Sequence, residues 1–187
     1  VAEVASTVNE TLLTHHLLET VEDPEFRAYV LDEYLERVRS TLYRQTMFAD
    51  FELQIHQRVE DGEPLTPATF DEIYGGLKAD YYEPAETDEL IAKEWMRIPH
   101  FYYNYYVYQY STGISAAVSI VQRILDQGEP AAADYREALQ TGGGEYPLET
   151  LRTAGVDMTS PDPIEDALAT YGEYLDEMAD LMDLQPN

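Results

Sequence analysis

The chain has 187 residues, and its 37 Asp and Glu against 11 Lys and Arg give a formal net charge of −26 at pH 7. This charge excludes proteins that bind a nucleic-acid backbone, which need clustered basic residues, and it disfavours binding to anionic membranes. Apolar residues make up 44% and aromatic residues 12%, too much for a disordered acidic tail, so we expect a folded core. The absence of cysteine excludes disulfides, thiolate metal sites and cysteine nucleophiles.

Helical signals fill the first half of the chain. Apolar residues at helical spacing predict a helix over residues 2–18, and Asp23-Pro24 is typical of an N-cap followed by Pro in the first turn. The helical pattern continues from there to about Val59, a length that would cross a whole domain. The next helix is predicted to begin at Thr66-Pro67 and to end near Tyr82.

The second half is predicted to be helical as well. Pro84 and Pro99 bracket a shorter piece, and residues 101–127 are expected to form one helix. The glycines at 142–144 indicate a turn, because no Lys-Ser/Thr follows them as in a phosphate-binding loop. Further helices are predicted at 131–140, at 147–153 and from Pro161 to Met182, the last with an apolar stripe of Ile164, Leu168, Tyr171, Leu175, Met178 and Leu181. The fold class is therefore all-α, irregular, as a single unit over residues 1–187.

The distribution of apolar and charged residues suggests where the protein works. The longest largely apolar stretch, residues 113–125, is too short to span a bilayer, so we expect a soluble, cytoplasmic protein. The surplus carboxylates are spread over every segment rather than forming a run. This spread favours a halophilic origin, in which counterions screen the self-repulsion, over an acidic patch for a basic partner.

Two carboxylates in the opening segment are the first candidates for chemistry. Glu3 and Glu10 are seven residues apart, so on a helix they share one face with Ser6 and Thr7, while the apolar Val4 and Val8 point elsewhere. One carboxylate on this face could bind a metal while the other holds a ligand by hydrogen bonding. The same spacing also fits an ordinary solvated helix face.

The second candidate is a segment in which seven of the ten residues from Phe101 to Tyr110 are aromatic. On a helix, Phe101, Tyr105, Tyr108 and Thr112 would share one face, whose hydroxyls could donate to a carbonyl or to a developing oxyanion. His100 could serve as a further donor. The alternative is that most of these tyrosines fill the centre of a helical bundle.

With these residues identified, the chain resembles the C-terminal part of the catalytic domain of oligoendopeptidase F, a member of the thimet-oligopeptidase-like zinc metallopeptidases. The matching stretches span nearly the whole chain and are residues 4–10, 44–52, 98–101, 106–113 and 154–158. The resemblance implies an all-α, zincin-type peptidase that encloses short peptides in a channel and hydrolyses them with one Zn²⁺. The partner it implies is therefore a short peptide substrate.

The resemblance also assigns roles to the candidate residues. Glu3 matches the third zinc ligand, and Glu10 matches a carboxylate on the same helix that would support a metal-bound His. His100, Tyr105 and Tyr108 match the region that places His and Tyr donors against the scissile carbonyl.

The family's His-Glu-x-x-His motif, which provides two zinc ligands and the general base, is absent, because none of the four histidines is followed by Glu-x-x-His. His15, His16 and His56 are interpreted as structural or surface residues. We therefore expect a fragment without the upstream motif helix, inactive alone, not retaining Zn²⁺, and able to self-associate through an exposed Tyr-rich wall. The rival hypothesis is an acidic, all-helical binding module without catalytic activity. A glycosidase with paired carboxylates ranks lower, because nothing singles out a pair.

Overall fold

The computed structural model describes residues 3–183, and every regular element in that range is helical. The α-helices in chain order are α1 Val4–Thr20, α2 Pro24–Val38, α3 Arg44–Glu60, α4 Pro67–Tyr82, α5 Tyr108–Gln127, α6 Glu129–Gln140, α7 Pro147–Thr153 and α8 Asp162–Leu181. A π-helix, Arg39–Tyr43, connects α2 to α3, and two 3-10 helices, Ile91–Arg97 and Pro99–Tyr102, lie between α4 and α5. The predicted all-α class is confirmed over the described residues.

Most predicted helix boundaries are confirmed, and local chemistry explains them. Pro24 occupies the first turn of α2, and Pro67 that of α4, positions where the missing N–H costs no hydrogen bond. The hydroxyl of Thr66 accepts a hydrogen bond from the backbone N–H of Thr69 at 3.2 Å, which caps α4. No helix in the described range is both long and apolar enough to cross a membrane.

The chain divides into two compact units, one of Val1–Arg39 with Thr112–Asn187 and the other of Ser40–Ser111. The single unit predicted over residues 1–187 stays a prediction. The main core of the first unit is formed by apolar residues of α1, α5, α6 and α7 together with the residues that follow α7. It contains Val4, Val8, Ala116, Ala117, Ile120, Val121, Tyr135, Ala138, Leu151, Ala154 and Val156.

Helix α8 uses only part of the stripe noted in the sequence for packing, since Met178 packs on the buried Leu18, Val30 and Leu31. Its buried residues are Pro163, Ala167 and Thr170, whereas Ile164 and Leu168 are each 40% exposed. Further along α8, Tyr174 packs edge-on against Tyr34 of α2, with ring centroids 4.8 Å apart. The apolar stripe of α8 therefore stays largely on the surface of the first unit.

The core of the second unit lies between α3 and α4. Its buried residues are Met47, Phe48, Phe51, Ile73, Tyr74, Leu77 and Val107. The indole of Trp95, in the first 3-10 helix, stacks on Phe70 with centroids 4.6 Å apart and donates a hydrogen bond to Asp71 at 2.8 Å. These contacts attach the 3-10 helix to α4.

A buried ion network strengthens this attachment. Glu94, whose side chain is only 5% exposed, accepts hydrogen bonds from Arg44 (2.5 Å), Arg97 (2.7 Å), Tyr74 (2.8 Å) and Lys78 (2.9 Å). Burial by itself would raise the pKa of Glu94, but the hydrogen bonds from Lys78, Tyr74 and Arg97 outweigh it and lower the pKa to about 2. The network therefore holds an ionised carboxylate immediately before the segment that contains His100.

Candidate functional site

Glu3 directly precedes α1 and is exposed, as is Glu10, while Val4 and Val8 are buried in the core. The predicted separation of a carboxylate face from an apolar face is confirmed. The backbone carbonyl of Glu3 accepts hydrogen bonds from the hydroxyls of Ser6 and Thr7, both at 2.9 Å. These bonds fix the backbone from which the Glu3 carboxylate extends.

Glu10 is oriented by a residue of α2. The Arg37 guanidinium donates to the Glu10 carboxylate at 2.9 Å and to the buried hydroxyl of Thr14 at 3.2 Å. A guanidinium fork that binds two acceptors one turn apart restricts the rotamer of both partners. Glu10 is thus held in place within the first unit, and its predicted role towards a metal-bound His stays a prediction.

The tyrosine-rich segment does not form the single helix predicted from residue 101 to residue 127. Pro99–Tyr102 is a 3-10 helix, the following residues are irregular, and α5 begins only at Tyr108. Asn104 and Tyr105 have φ angles of 49° and 57°, which no right-handed helix can contain. The helical faces predicted for Phe101, Tyr105 and Tyr108 are therefore wrong.

His100 lies in a cluster of aromatic rings within this segment. Its imidazole stacks on Tyr106, with ring centroids 5.8 Å apart and an interplanar angle of 12°, and it meets Tyr103 and Tyr110 edge-on at 6.1 and 5.9 Å. The Tyr110 hydroxyl lies 3.4 Å from His100 Nε2. The partners of His100 therefore include Tyr103, Tyr106 and Tyr110, none of which was predicted as a site residue.

Tyr105 has different neighbours, which belong to α3. Its backbone N–H donates to the Glu52 carboxylate at 2.6 Å, and its ring lies 4.5 Å from that of His56. Desolvation, with smaller contributions from the negative charges of Glu60 and Glu52, raises the pKa of the Tyr105 hydroxyl. A tyrosine hydroxyl already keeps its proton at neutral pH, and this environment favours the protonated, donating form further.

Tyr108 is the first residue of α5, and half of its side chain is exposed. The residues that sequence reasoning missed are Glu52 and the three tyrosines around His100. Glu52 was noticeable only as an acidic residue next to Phe51 in an apolar stretch, and nothing in the pattern indicated that it is 1% exposed. The tyrosines around His100 were visible, but their assignment required the true backbone path.

The described residues contain no group of three or more His, Asp or Glu side chains that could hold a metal ion. Glu3 and Glu10 lie in the first compact unit, whereas His100, Tyr105 and Tyr108 lie in the second.

Comparison with known proteins identifies the family. The model of peptidase family M3 matches residues 1–170. The chain belongs to peptidase family M3. It is 51% identical over 183 residues to the protein named oligopeptidase PepF from Bacillus subtilis, and 42% identical over 182 residues to group B oligopeptidase PepB from Streptococcus agalactiae. Each match covers 97% of this chain but only 27% and 30% of the relative.

A solved structure supports the same assignment. The crystal structure of oligoendopeptidase-F from Enterococcus faecium superposes with a TM-score of 0.94 at 50% identity, covering 98% of this chain and 36% of that one. The resemblance to oligoendopeptidase F inferred from the sequence motifs is thereby confirmed. Since the chain spans about a third or less of these M3 relatives, it corresponds to one part of their length.

Proposed function

We propose that this chain is part of a zinc-dependent oligoendopeptidase that hydrolyses short peptides. The observation that carries the proposal is the 51% identity to the relative named oligopeptidase PepF, which extends over 97% of the chain. At this identity the chemistry of a family is commonly retained, provided that the rest of the catalytic machinery is present. In this proposal a short peptide is the substrate of the whole protein, and the chain alone is inactive.

Glu3 is proposed as a zinc ligand and Glu10 as the residue that orients a zinc-bound histidine. The exposed position of Glu3 at the start of α1 supports its role, because a ligand must be able to exchange water for metal. The contact with Arg37 supports the role of Glu10, because a carboxylate fixed by a second residue can orient a further partner. When bound, Zn²⁺ polarises the scissile carbonyl. In this proposal the remaining ligands come from the His-Glu-x-x-His motif of the full-length protein.

His100, Tyr105 and Tyr108 are proposed as hydrogen-bond donors to the carbonyl oxygen of the scissile peptide. Hydrolysis places negative charge on this oxygen, and fixed donors stabilise that charge without reorganising during the reaction. A tyrosine hydroxyl is ordinarily protonated at neutral pH and able to donate, and the raised pKa of Tyr105 acts in the same direction. The exposure of Tyr105 and Tyr108 supports access to a bound peptide.

Hydrolysis of an internally quenched short peptide tests the proposal. We would compare this chain with its full-length gene product, in molar KCl with added Zn²⁺. The full-length protein is expected to cleave the peptide in a chelator-sensitive manner, whereas this chain alone is expected to show no cleavage.

In the full-length protein, Glu3→Gln is expected to abolish cleavage. Tyr105→Phe is expected to lower kcat by about 10²- to 10³-fold, the usual effect of removing one donor to a developing oxyanion. Tyr102→Phe is the matched control, because Tyr102 lies in the same segment but is almost fully exposed and has no proposed role. A full-length protein that lacks the His-Glu-x-x-His motif and stays inert would instead favour the binding module.

A further inference from the structure

The backbone around Tyr105 adopts an unusual conformation. Asn104 and Tyr105 are consecutive residues with positive φ, at 49° and 57°. Asn visits this left-handed region with little penalty, but a bulky aromatic residue does so only when its surroundings impose it. A specific interaction must therefore stabilise this turn, and the structure identifies which one.

Glu52 provides that interaction from the middle of α3. Its side chain is 1% exposed, and one carboxylate oxygen accepts the Tyr105 backbone N–H at 2.6 Å. The second carboxylate oxygen is buried and has no hydrogen-bond partner among the described residues. A buried carboxylate with a single partner is costly, so Glu52 is poorly explained as an ordinary core residue.

The next turn of α3 holds the Tyr105 side chain. The His56 ring lies 4.5 Å from the Tyr105 ring at an interplanar angle of 34°. Its Nδ1 lies 2.8 Å from the backbone carbonyl of Glu52, and since a carbonyl only accepts, Nδ1 carries the proton. Two residues four apart on α3 therefore fix Tyr105. The Glu52 carboxylate binds the Tyr105 backbone N–H, and the His56 ring contacts the Tyr105 ring.

We propose that Glu52 is a positioning residue for Tyr105. Its carboxylate holds the left-handed turn that directs the Tyr105 side chain onto His56, and it thereby sets where the Tyr105 hydroxyl can donate. The catalytic consequence rests on the proposed function, in which Tyr105 donates to the scissile carbonyl. The positioning of Tyr105 by Glu52 does not depend on the proposed function. It can be measured on this chain without substrate or metal.

Amide hydrogen exchange at Tyr105, followed by NMR, is the first test. Glu52→Ala removes the acceptor and is expected to accelerate exchange of the Tyr105 amide by about tenfold, the usual effect of losing a buried hydrogen bond. Glu52→Gln keeps an oxygen acceptor of the same shape, so it is expected to retain most of the protection.

The matched control is Glu60→Gln. Glu60 is an exposed carboxylate on the same helix whose charge also acts on Tyr105, so this variant removes a charge without removing the hydrogen bond. Its exchange rate at Tyr105 is expected to equal that of the unmodified chain. Fluorescence of Trp95 verifies that each variant is folded. Unchanged Tyr105 exchange in folded Glu52→Ala, or equal acceleration in Glu60→Gln, would overturn the proposal.

Kinetics of the full-length peptidase give the second test. Glu52→Ala is expected to lower kcat about tenfold or more while KM stays within about twofold, because the donor is misplaced in the transition state rather than lost from substrate binding. Adding Glu52→Ala to Tyr105→Phe is expected to cause little further loss, since both changes remove one interaction. Additive losses would contradict positioning. If Tyr105→Phe alone has no effect, the role of Tyr105 in the proposed function fails, and amide exchange alone decides the role of Glu52.

Discussion

Replacing Glu94 by Gln removes the negative charge at the centre of the ion network in the second unit. The carboxylate faces three cationic side chains, and one of them, Lys78, is itself only 7% exposed. Glutamine has nearly the same shape, so the substitution leaves the packing intact but leaves Lys78 and Arg44 facing a neutral amide. Breaking a buried ion pair from one side is strongly destabilising because the remaining charge has no compensation.

The size of the effect follows from the pKa of Glu94, which is about 2 in the folded chain against an ordinary value of 4.5. A difference of about 2.5 in pKa corresponds to about 3 kcal/mol of stability. Because the folded pKa is the lower one, the unfolded chain takes up the proton first as pH falls. The contribution is therefore fully present above pH 4.5 and is lost progressively as pH approaches 2.

Urea unfolding followed by Trp95 fluorescence measures this contribution directly. Trp95 is the single tryptophan of the chain and follows Glu94 in the same 3-10 helix, so it reports on this network. At pH 7, Glu94→Gln is expected to lower the free energy of unfolding by up to about 3 kcal/mol. The difference in free energy of unfolding between the variant and the unmodified chain should become smaller as pH decreases from 4.5.

Glu149→Gln is the control, because Glu149 forms an exposed ion pair with Arg152 and its removal is expected to cost about 0.5 kcal/mol or less. The reasoning is refuted if Glu94→Gln is no less stable than the unmodified chain at pH 7. It is also refuted if the difference in free energy of unfolding between the two proteins is as large near pH 2, where Glu94 is half protonated, as at pH 7.

Two further predictions concern a glycine and the total charge. Gly155→Ala is expected to cost about 2 kcal/mol or more in urea unfolding, because Gly155 has φ +82° and the added Cβ would displace the Arg123 guanidinium from the Ala154 carbonyl. In Gly76→Ala, a helical control with open space around the Cβ, stability should rise by up to about 1 kcal/mol. Raising KCl from 0.1 to 1 M is expected to increase the thermal midpoint, since the net charge is −26 and screening weakens self-repulsion. A lower midpoint at 1 M would contradict a halophilic origin.

The sequence predicted those parts of the fold that depend on local chemistry. The Thr66-Pro67 start of α4 and the Pro147–Thr153 bounds of α7 were correct, because capping residues and proline act on their immediate neighbours. The helix predicted over residues 101–127 was wrong at its beginning. The N–H of Tyr105 bonds to Glu52, 53 residues earlier in the chain, and no periodicity can reveal so distant a partner.

The candidate site was also predictable only where it depends on local helical spacing. Exposure of Glu3 and Glu10 followed from helical spacing, because Val4 and Val8 determine which face of α1 is buried. The environment of His100 did not follow, because its contacts with Tyr103, Tyr106 and Tyr110 depend on the irregular backbone before α5.

The carboxylates of this chain have different environments that composition cannot distinguish. Glu94 is buried and has four donors, so its oxygens are already satisfied and its effect is on stability. Glu52 is equally buried but has one backbone donor, which makes it sensitive to the conformation of the Tyr105 turn. Glu3 is exposed at the start of a helix, so its carboxylate is accessible, as the proposed metal-ligand role requires. Burial and the number of donors, rather than residue type, therefore determine which carboxylate can stabilise, position or bind.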